Sequence, residues 1–148
     1  KIMEAKEIEL AYFAGLFDGE GCIHIRKTKT KTQKLTYGLV CKVSMCNFPV
    51  LEQLQQNFGG SLYKEREHQY SNRYNKLWTW TLSCIKARDF VATILPFLRI
   101  KKTEANLAIT FQTGKVRTHR NIPKTEEALA LEEAQYILMR NLKQGVVI

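Results

Sequence analysis

Ala11-Tyr12-Phe13-Ala14-Gly15-Leu16-Phe17-Asp18-Gly19-Glu20-Gly21 is the stretch on which the reading of this chain turns. It overlaps an apolar run from Ile8 to Phe17, rich in helix formers, and that run predicts a helix buried nearly all round. The glycine-bearing segment Asp18-Gly19-Glu20-Gly21 predicts where the helix stops. Ala11, Gly15 and Gly19 recur every four residues and therefore stack on one side of it. Small residues in that register let two backbones approach closely, as they do between membrane helices. In a soluble chain they suit two identical helices crossing at a two-fold axis, or tight packing against the chain's own sheet. Asp18 and Glu20 tip the balance toward the two-fold arrangement. They sit at the negative end of the helix dipole, where acids destabilise, and a local rule broken at an element's end points to function. Two Glu20 carboxylates meeting there would repel unless cations intervened. Mg²⁺ is a hard, oxygen-seeking cation that suits such a site.

Downstream, the hydrophobic period changes. Ile23 and Ile25 alternate with His24, Arg26 and Thr28, which predicts a half-buried strand, followed by a polar stretch over Lys27 to Lys34 that reads as a loop or a long hairpin tip. A second strand is predicted from Leu35 to Asn47, with Leu39, Cys41, Val43 and Met45 inward and Lys42 and Ser44 outward. Asn47-Phe48-Pro49 opens a helix, Val50 to Phe58, with an apolar stripe of Val50, Leu51, Leu54 and Phe58, stopped by Gly59-Gly60. The plan then repeats: a strand over Ser61 to Glu67, a polar turn over Gln69 to Lys76, a strand over Leu77 to Ser83 and a helix over Ile85 to Leu95. Trp78 and Trp80 are expected to pack under the sheet or at its edge. Further helices are predicted at Lys101 to Thr113 and from Thr125 to about Leu142, with a basic linker, Gly114 to Pro123, between them. The expected fold class is α+β, an αββαββα order with a curved antiparallel four-stranded sheet and helices on one face, plus C-terminal helices. The 148 residues make one domain, with a core over about 8–113.

Helices on one side leave the other sheet face bare. The expected outward set is His24, Arg26, Thr28, Lys42, Ser44, Lys64, Arg66, Thr79 and Thr81, with Thr30 at the adjoining tip. Glu65 and Glu67 fall on the opposite parity. A basic strand face of this kind can read base edges in the DNA major groove. The net charge of +9 and a pI near 9.5 favour a polyanionic partner for the same reason. The outward positions carry Thr, Lys and Arg rather than exposed aromatics, which disfavours a general RNA-binding module. No apolar run approaches a membrane span, and no signal-peptide pattern opens the chain. The four cysteines, Cys22, Cys41, Cys46 and Cys84, show no zinc spacing and are expected to be core thiols in a reducing compartment.

The quoted stretch resembles the signature of the LAGLIDADG homing endonucleases in its single-motif form, with Ala14 to Gly21 covering nearly the whole motif. Gly59-Gly60, Leu82-Ser83-x-Ile85-Lys86 and Pro96-Phe97-Leu98-Arg99-Ile100-Lys101 also look like family landmarks, so the resemblance runs from about Leu10 to about Ala108. It implies a homodimeric, Mg²⁺-dependent endonuclease (Mn²⁺ a substitute) cutting double-stranded DNA at a long, nearly palindromic site, with no membrane or small-molecule substrate. Glu20 would be the metal ligand, with the Gly19 carbonyl beside the metal. Lys101 would supply charge at the scissile phosphate, and Asn47 would orient water. Asp18 is expected to be structural. Ala11, Gly15 and Gly19 would line the dimer interface. An intracellular host, whether organelle, bacterium, archaeon or phage, is compatible, and so is intron or intein mobility. The competing reading is a non-cleaving DNA-binding regulator or RNA-splicing maturase on the same scaffold.

Overall fold

The computed structural model describes residues 4–66, 77–115 and 122–145. Helix α1 (Ala5–Glu20) leads into the antiparallel strands β1 (Gly21–Lys29) and β2 (Leu35–Met45). Helix α2 (Phe48–Phe58), strands β3 (Ser61–Lys64) and β4 (Trp78–Ser83) and helix α3 (Cys84–Ile94) repeat the unit. A short 3-10 turn (Leu95–Phe97), α4 (Lys102–Thr113) and α5 (Glu126–Lys143) complete it. The four strands form one sheet in the order β1-β2-β4-β3, every pairing antiparallel. The α+β architecture read from hydrophobic period is therefore the one present.

The inward residues of the sheet are those that alternation selected: Ile23 and Ile25 on β1, Leu39, Cys41 and Val43 on β2, and Trp80 and Leu82 on β4 are all buried. Aromatic edges lock the helices onto this face. Phe17 meets Phe90 at 5.2 Å between ring centroids, Phe90 meets Trp80 at 5.1 Å, and Phe58 meets Phe13 at 5.6 Å. Edge-to-face pairs of this kind add about 0.5–1.5 kcal/mol each beyond the area they bury. Trp80 is fully buried and its indole N–H donates to the Gly59 carbonyl at 2.8 Å. Gly60 (φ +91°) makes that close approach possible, since a Cβ there would stand 2.4 Å from the Thr81 carbonyl oxygen.

Several boundaries differ from the sequence reading. The first helix runs through Asp18 and Gly19 to Glu20, so Gly15 and Gly19 are helical and only Gly21 lies beyond it, opening β1. It is not buried all round: Phe13, Ala14, Phe17 and Asp18 face the core, while Ile8 (57% exposed) and Tyr12 (52%) face out. β1 extends to Lys29, and the expected loop shrinks to a turn in which Thr30 and Lys34 hydrogen-bond each other. The stripe of α2 is buried only at Leu51 and Leu54. β3 stops at Lys64, and the turn expected over Gln69 to Lys76 lies outside the described residues, as does the 116–121 part of the linker. Of the cysteines only Cys41 is a core thiol; Cys46 and Cys84 are exposed and Cys22 is intermediate, and none of the four is in a disulfide.

The C-terminal helix packs on the same core. Thr125 caps it by accepting from the Ala128 N–H, Met139 is buried, and Tyr136 lies against Tyr37 at 6.1 Å. Glu133 accepts from Lys27 Nζ at 2.9 Å and from the Tyr37 hydroxyl. Burial and the Glu133 carboxylate push the Tyr37 phenol up to about 12, so it stays a donor. Among the described residues no helix is long and apolar enough to cross a membrane.

Candidate functional site

Register decides which side chains share a face, because directly opposed residues in an antiparallel pair point the same way. Cys22 opposes Lys42, and Lys42 opposes Thr81, which opposes Ser61; Ser44 opposes Thr79, which opposes Tyr63. His24, Arg26 and Thr28 complete this outer face on β1. Arg26, Thr28 and Lys42 are exposed, Thr28 bonding its neighbour Thr36 at 2.7 Å.

Lys64 and Arg66 are not part of it. Lys64 opposes Trp78 and Leu62 opposes Trp80, both on the helix side, so Lys64 shares the tryptophan face at the sheet edge, and Arg66 lies past the end of β3. Their placement among the outward readers was a one-residue parity error, and in a strand one residue inverts every side chain. The same inversion brings Glu65 onto the outer face, where the buried Thr79 hydroxyl donates to its Oε1 at 2.8 Å. Thr79 itself is wholly covered and cannot reach a ligand directly.

His24 is half-buried on this face, with Nδ1 3.9 Å from the Cys22 thiol. Burial, reinforced by the charges of Lys143, Lys42 and Arg26, lowers its pKa from 6.5 to about 4. The imidazole is thus neutral at neutral pH and can donate or accept.

Glu20 ends α1 with its side chain in solvent, and Gly19 is equally exposed. The Gly19 carbonyl is in the last turn, where helical geometry leaves C=O groups without an intrahelical partner. One carboxylate and one free carbonyl are the hard oxygen donors that Mg²⁺ takes. Among the described residues no cluster of three or more His, Cys, Asp or Glu could hold a metal within one chain.

Two residues before Glu20, on the inner side of the helix, Asp18 performs a different task. Its Oδ2 accepts from the Arg99 N–H at 2.8 Å and its Oδ1 from the N–H groups of Ile100 and Lys101 at 3.2 and 3.0 Å. Lys101 Nζ returns to the Asp18 carbonyl at 2.6 Å. The structural role expected of Asp18 is therefore specific: it fastens the segment carrying Lys101 to the helix end that carries Glu20. Lys101 is half-buried and lines a cleft with Gly21, Cys22, Ile23, Ile100, Glu104 and Lys143. Lys143, from the far end of the chain, donates to the Cys22 thiol at 2.9 Å, and no local pattern marked it. Asn47 is exposed and spends its side-chain oxygen capping α2 at Val50 N–H, 3.2 Å.

The glycine side of α1 is bare. Among the described residues, no atom beyond the local helix backbone and the two chain neighbours comes within 4 Å of a Cβ built on Gly15 or on Gly19. The chain's own packing therefore does not require glycine at either position. A cleft beside it runs between Ala11, Gly15 and the Pro96 to Arg99 segment.

A family model described as LAGLIDADG endonuclease matches residues 13–98. No curated protein matches at the sequence level. Among solved structures, the homing endonuclease I-CvuI in complex with its target is 17% identical with a TM-score of 0.72, covering 92% of this chain and 82% of that one. I-TnaI is 15% identical with a TM-score of 0.62, covering 93% and 97%. I-GzeII in complex with a DNA target is 18% identical with a TM-score of 0.61, covering 88% of this chain but 43% of that one. At these identities the likeness is one of fold.

Two outcomes test this geometry. Asp18→Asn keeps the shape but exchanges one of the two carboxylate oxygens for an N–H donor, so at least one of the three part-buried N–H groups loses its acceptor, and should lower unfolding stability by about 1–3 kcal/mol in urea titration; an unchanged midpoint would contradict the clamp. His24 binds its proton more weakly folded than unfolded, so stability should fall as pH drops from 6.5 toward about 4. His24→Gln should show a shallower fall over that window, whereas parallel curves would refute the assignment.

Proposed function

The chain belongs to the LAGLIDADG endonuclease family, and from that premise we propose that it is a site-specific homing endonuclease that hydrolyses double-stranded DNA as a homodimer. The observation that carries this reading is the end of α1. An exposed carboxylate, Glu20, follows a glycine side that none of the described residues covers, and a lysine is fastened beside it through Asp18. A second copy meeting α1 along Ala11, Gly15 and Gly19 would bring two Glu20 carboxylates together. The chain lengths agree with two copies: this fold spans most of I-CvuI and I-TnaI but under half of I-GzeII.

Glu20 and the Gly19 carbonyl of each copy fit a divalent cation, Mg²⁺ being the choice, and structures of I-CvuI were solved with calcium and with magnesium. The chemistry such a cation supplies is a lowered water pKa and charge neutralisation at the attacking and leaving oxygens. Lys101 contributes fixed positive charge to the scissile phosphate, held in place by Asp18 so that little reorganisation accompanies the reaction. Asn47, at the start of α2, uses its side-chain oxygen on the Val50 N–H and has its amide NH2 group left to orient water.

The outer sheet face lies in the major groove. His24, Arg26, Thr28, Lys42, Ser44 and Thr81 face the bases, and Thr30 lies at the β1–β2 turn. Arg26 and Lys42 present donors suited to guanine edges and, with the net charge of +9, steer the approach to DNA. The two-fold relation of the copies makes the site nearly palindromic.

Incubation with a randomised duplex library tests the activity. The wild-type chain should cut a recovered site with Mg²⁺ and bind it uncut with Ca²⁺, while Glu20→Gln should lose at least about 100-fold in cleavage rate and keep Ca²⁺-dependent binding. Cleavage by Glu20→Gln at the wild-type rate would remove Glu20 from the centre. Binding without cutting by the wild-type chain under both ions would favour a regulator.

A further inference from the structure

Three side chains on the outer face form a hydrogen-bond relay whose direction is fixed by its last member. Glu65 Oε1 lies 2.8 Å from the Thr79 hydroxyl, and Thr79 Oγ1 lies 2.7 Å from Ser44 Oγ. A carboxylate can only accept, so the Thr79 hydrogen is committed to Glu65. The oxygen of Thr79 must then accept at the Ser44 contact, which commits the Ser44 hydrogen as well. What remains for an outside partner is lone pairs: those of Ser44 Oγ and of the Glu65 carboxylate. Thr79 is fully buried and acts only as the relay, while Ser44 and Glu65 are each half-buried.

This patch is exceptional on its face. Lys42, two residues before Ser44, and Arg26 offer only donors, and among the described residues of the outer face Glu65 is the single acid. Its position along the sheet is also fixed. Ser44 follows Val43, which opposes Gly21, the residue after Glu20, so the relay lies at the cleavage-centre end of the strands.

In the major groove adenine and cytosine present exocyclic amino donors, whereas guanine and thymine present acceptors. Resting on the DNA-cleaving assignment above, we propose that the Ser44–Thr79–Glu65 relay is a specificity determinant that selects cytosine or adenine at the base positions flanking the cleavage centre in each half-site. A donor base satisfies the exposed lone pairs. A guanine or thymine there would set acceptor against acceptor, leaving Ser44 and Glu65 desolvated and unpaired.

The test is selection of bound duplexes from a randomised library in Ca²⁺, sequenced for the wild-type chain and for Ser44→Ala, Glu65→Gln and Thr79→Val, with circular dichroism confirming that each variant is folded. The wild-type chain should favour cytosine or adenine over guanine and thymine by about tenfold in at least one column at the end of each half-site nearest the cleavage centre. Glu65→Gln should flatten that column, because an amide can donate as well as accept and frees the relay to reverse. Ser44→Ala should flatten it too, and Thr79→Val, which cuts the relay without touching the bases, should do the same if folded. Guanine or thymine in the responsive columns would overturn the inference. So would columns indifferent to Ser44→Ala and Glu65→Gln in a protein that still selects a site. Failure of the wild-type chain to select any site would instead overturn the DNA-cleaving assignment itself, and this inference with it.

Discussion

Helix α1 has two sides with opposite needs, and the rest of the molecule is arranged around that division. Phe13, Ala14 and Phe17 are spent in the core, and Asp18 beside them takes three backbone N–H groups from the segment that carries Lys101. On the other side, Gly15 and Gly19 have, among the described residues, no packing neighbour within 4 Å of where a Cβ would be, and Ile8 and Tyr12 are exposed. A helix buried on one side alone would normally carry charge on the other. This one carries small and apolar residues instead, up to an exposed glutamate at its last turn. The inner side fixes where Lys101 and Glu20 stand within one chain. The outer side is where, in the proposed dimer, a second chain would supply what one chain lacks.

The same division accounts for the charge pattern of the sheet. Its inner face is saturated by helices, so the outer face of β1, β2 and β4 is left to polar and basic residues. That face begins immediately after Glu20, because β1 starts at Gly21 without an intervening loop. The proposed reading surface and cleavage end would thus be coupled through the backbone rather than through a flexible connection, and a shift in one would move the other. The C-terminal helix reinforces the coupling. It holds the β1–β2 hairpin through Lys27, Tyr37 and Glu133, and returns Lys143 to Cys22 beside the cleft.

Periodicity made the architecture legible. Alternation in Ile23–Ile25 and Leu39–Val43, with glycine stops at Gly59-Gly60, was enough to order the elements and to assign the inner faces of β1, β2 and β4. It failed at β3, where Ser61-Leu62-Tyr63-Lys64 has a single strong apolar anchor. The parity of such a short edge strand is set by its pairing with Trp78 and Trp80, which no local pattern reveals. The consequence was to put Lys64 and Arg66 on the reading face and to leave Glu65 off it. The burial of Thr79 was invisible for the same reason, since it follows from Glu65 and Ser44 closing over it. The motif itself was plain, but the work of Asp18 was not: its partners lie more than 80 positions along the chain, and a main-chain clamp leaves no signature in the residues clamped.

The meeting of two copies along the glycine side of α1 is the claim on which the shared cleavage centre stands, and sedimentation velocity addresses it most directly. The wild-type chain should sediment at twice its 17.2 kDa mass. Gly15→Val, whose Cβ would meet no packing neighbour within 4 Å among the described residues of one copy, should sediment as a folded monomer with an unchanged circular dichroism spectrum. A wild-type monomer at micromolar concentration, or a Gly15→Val dimer as tight as the wild type, would contradict the account.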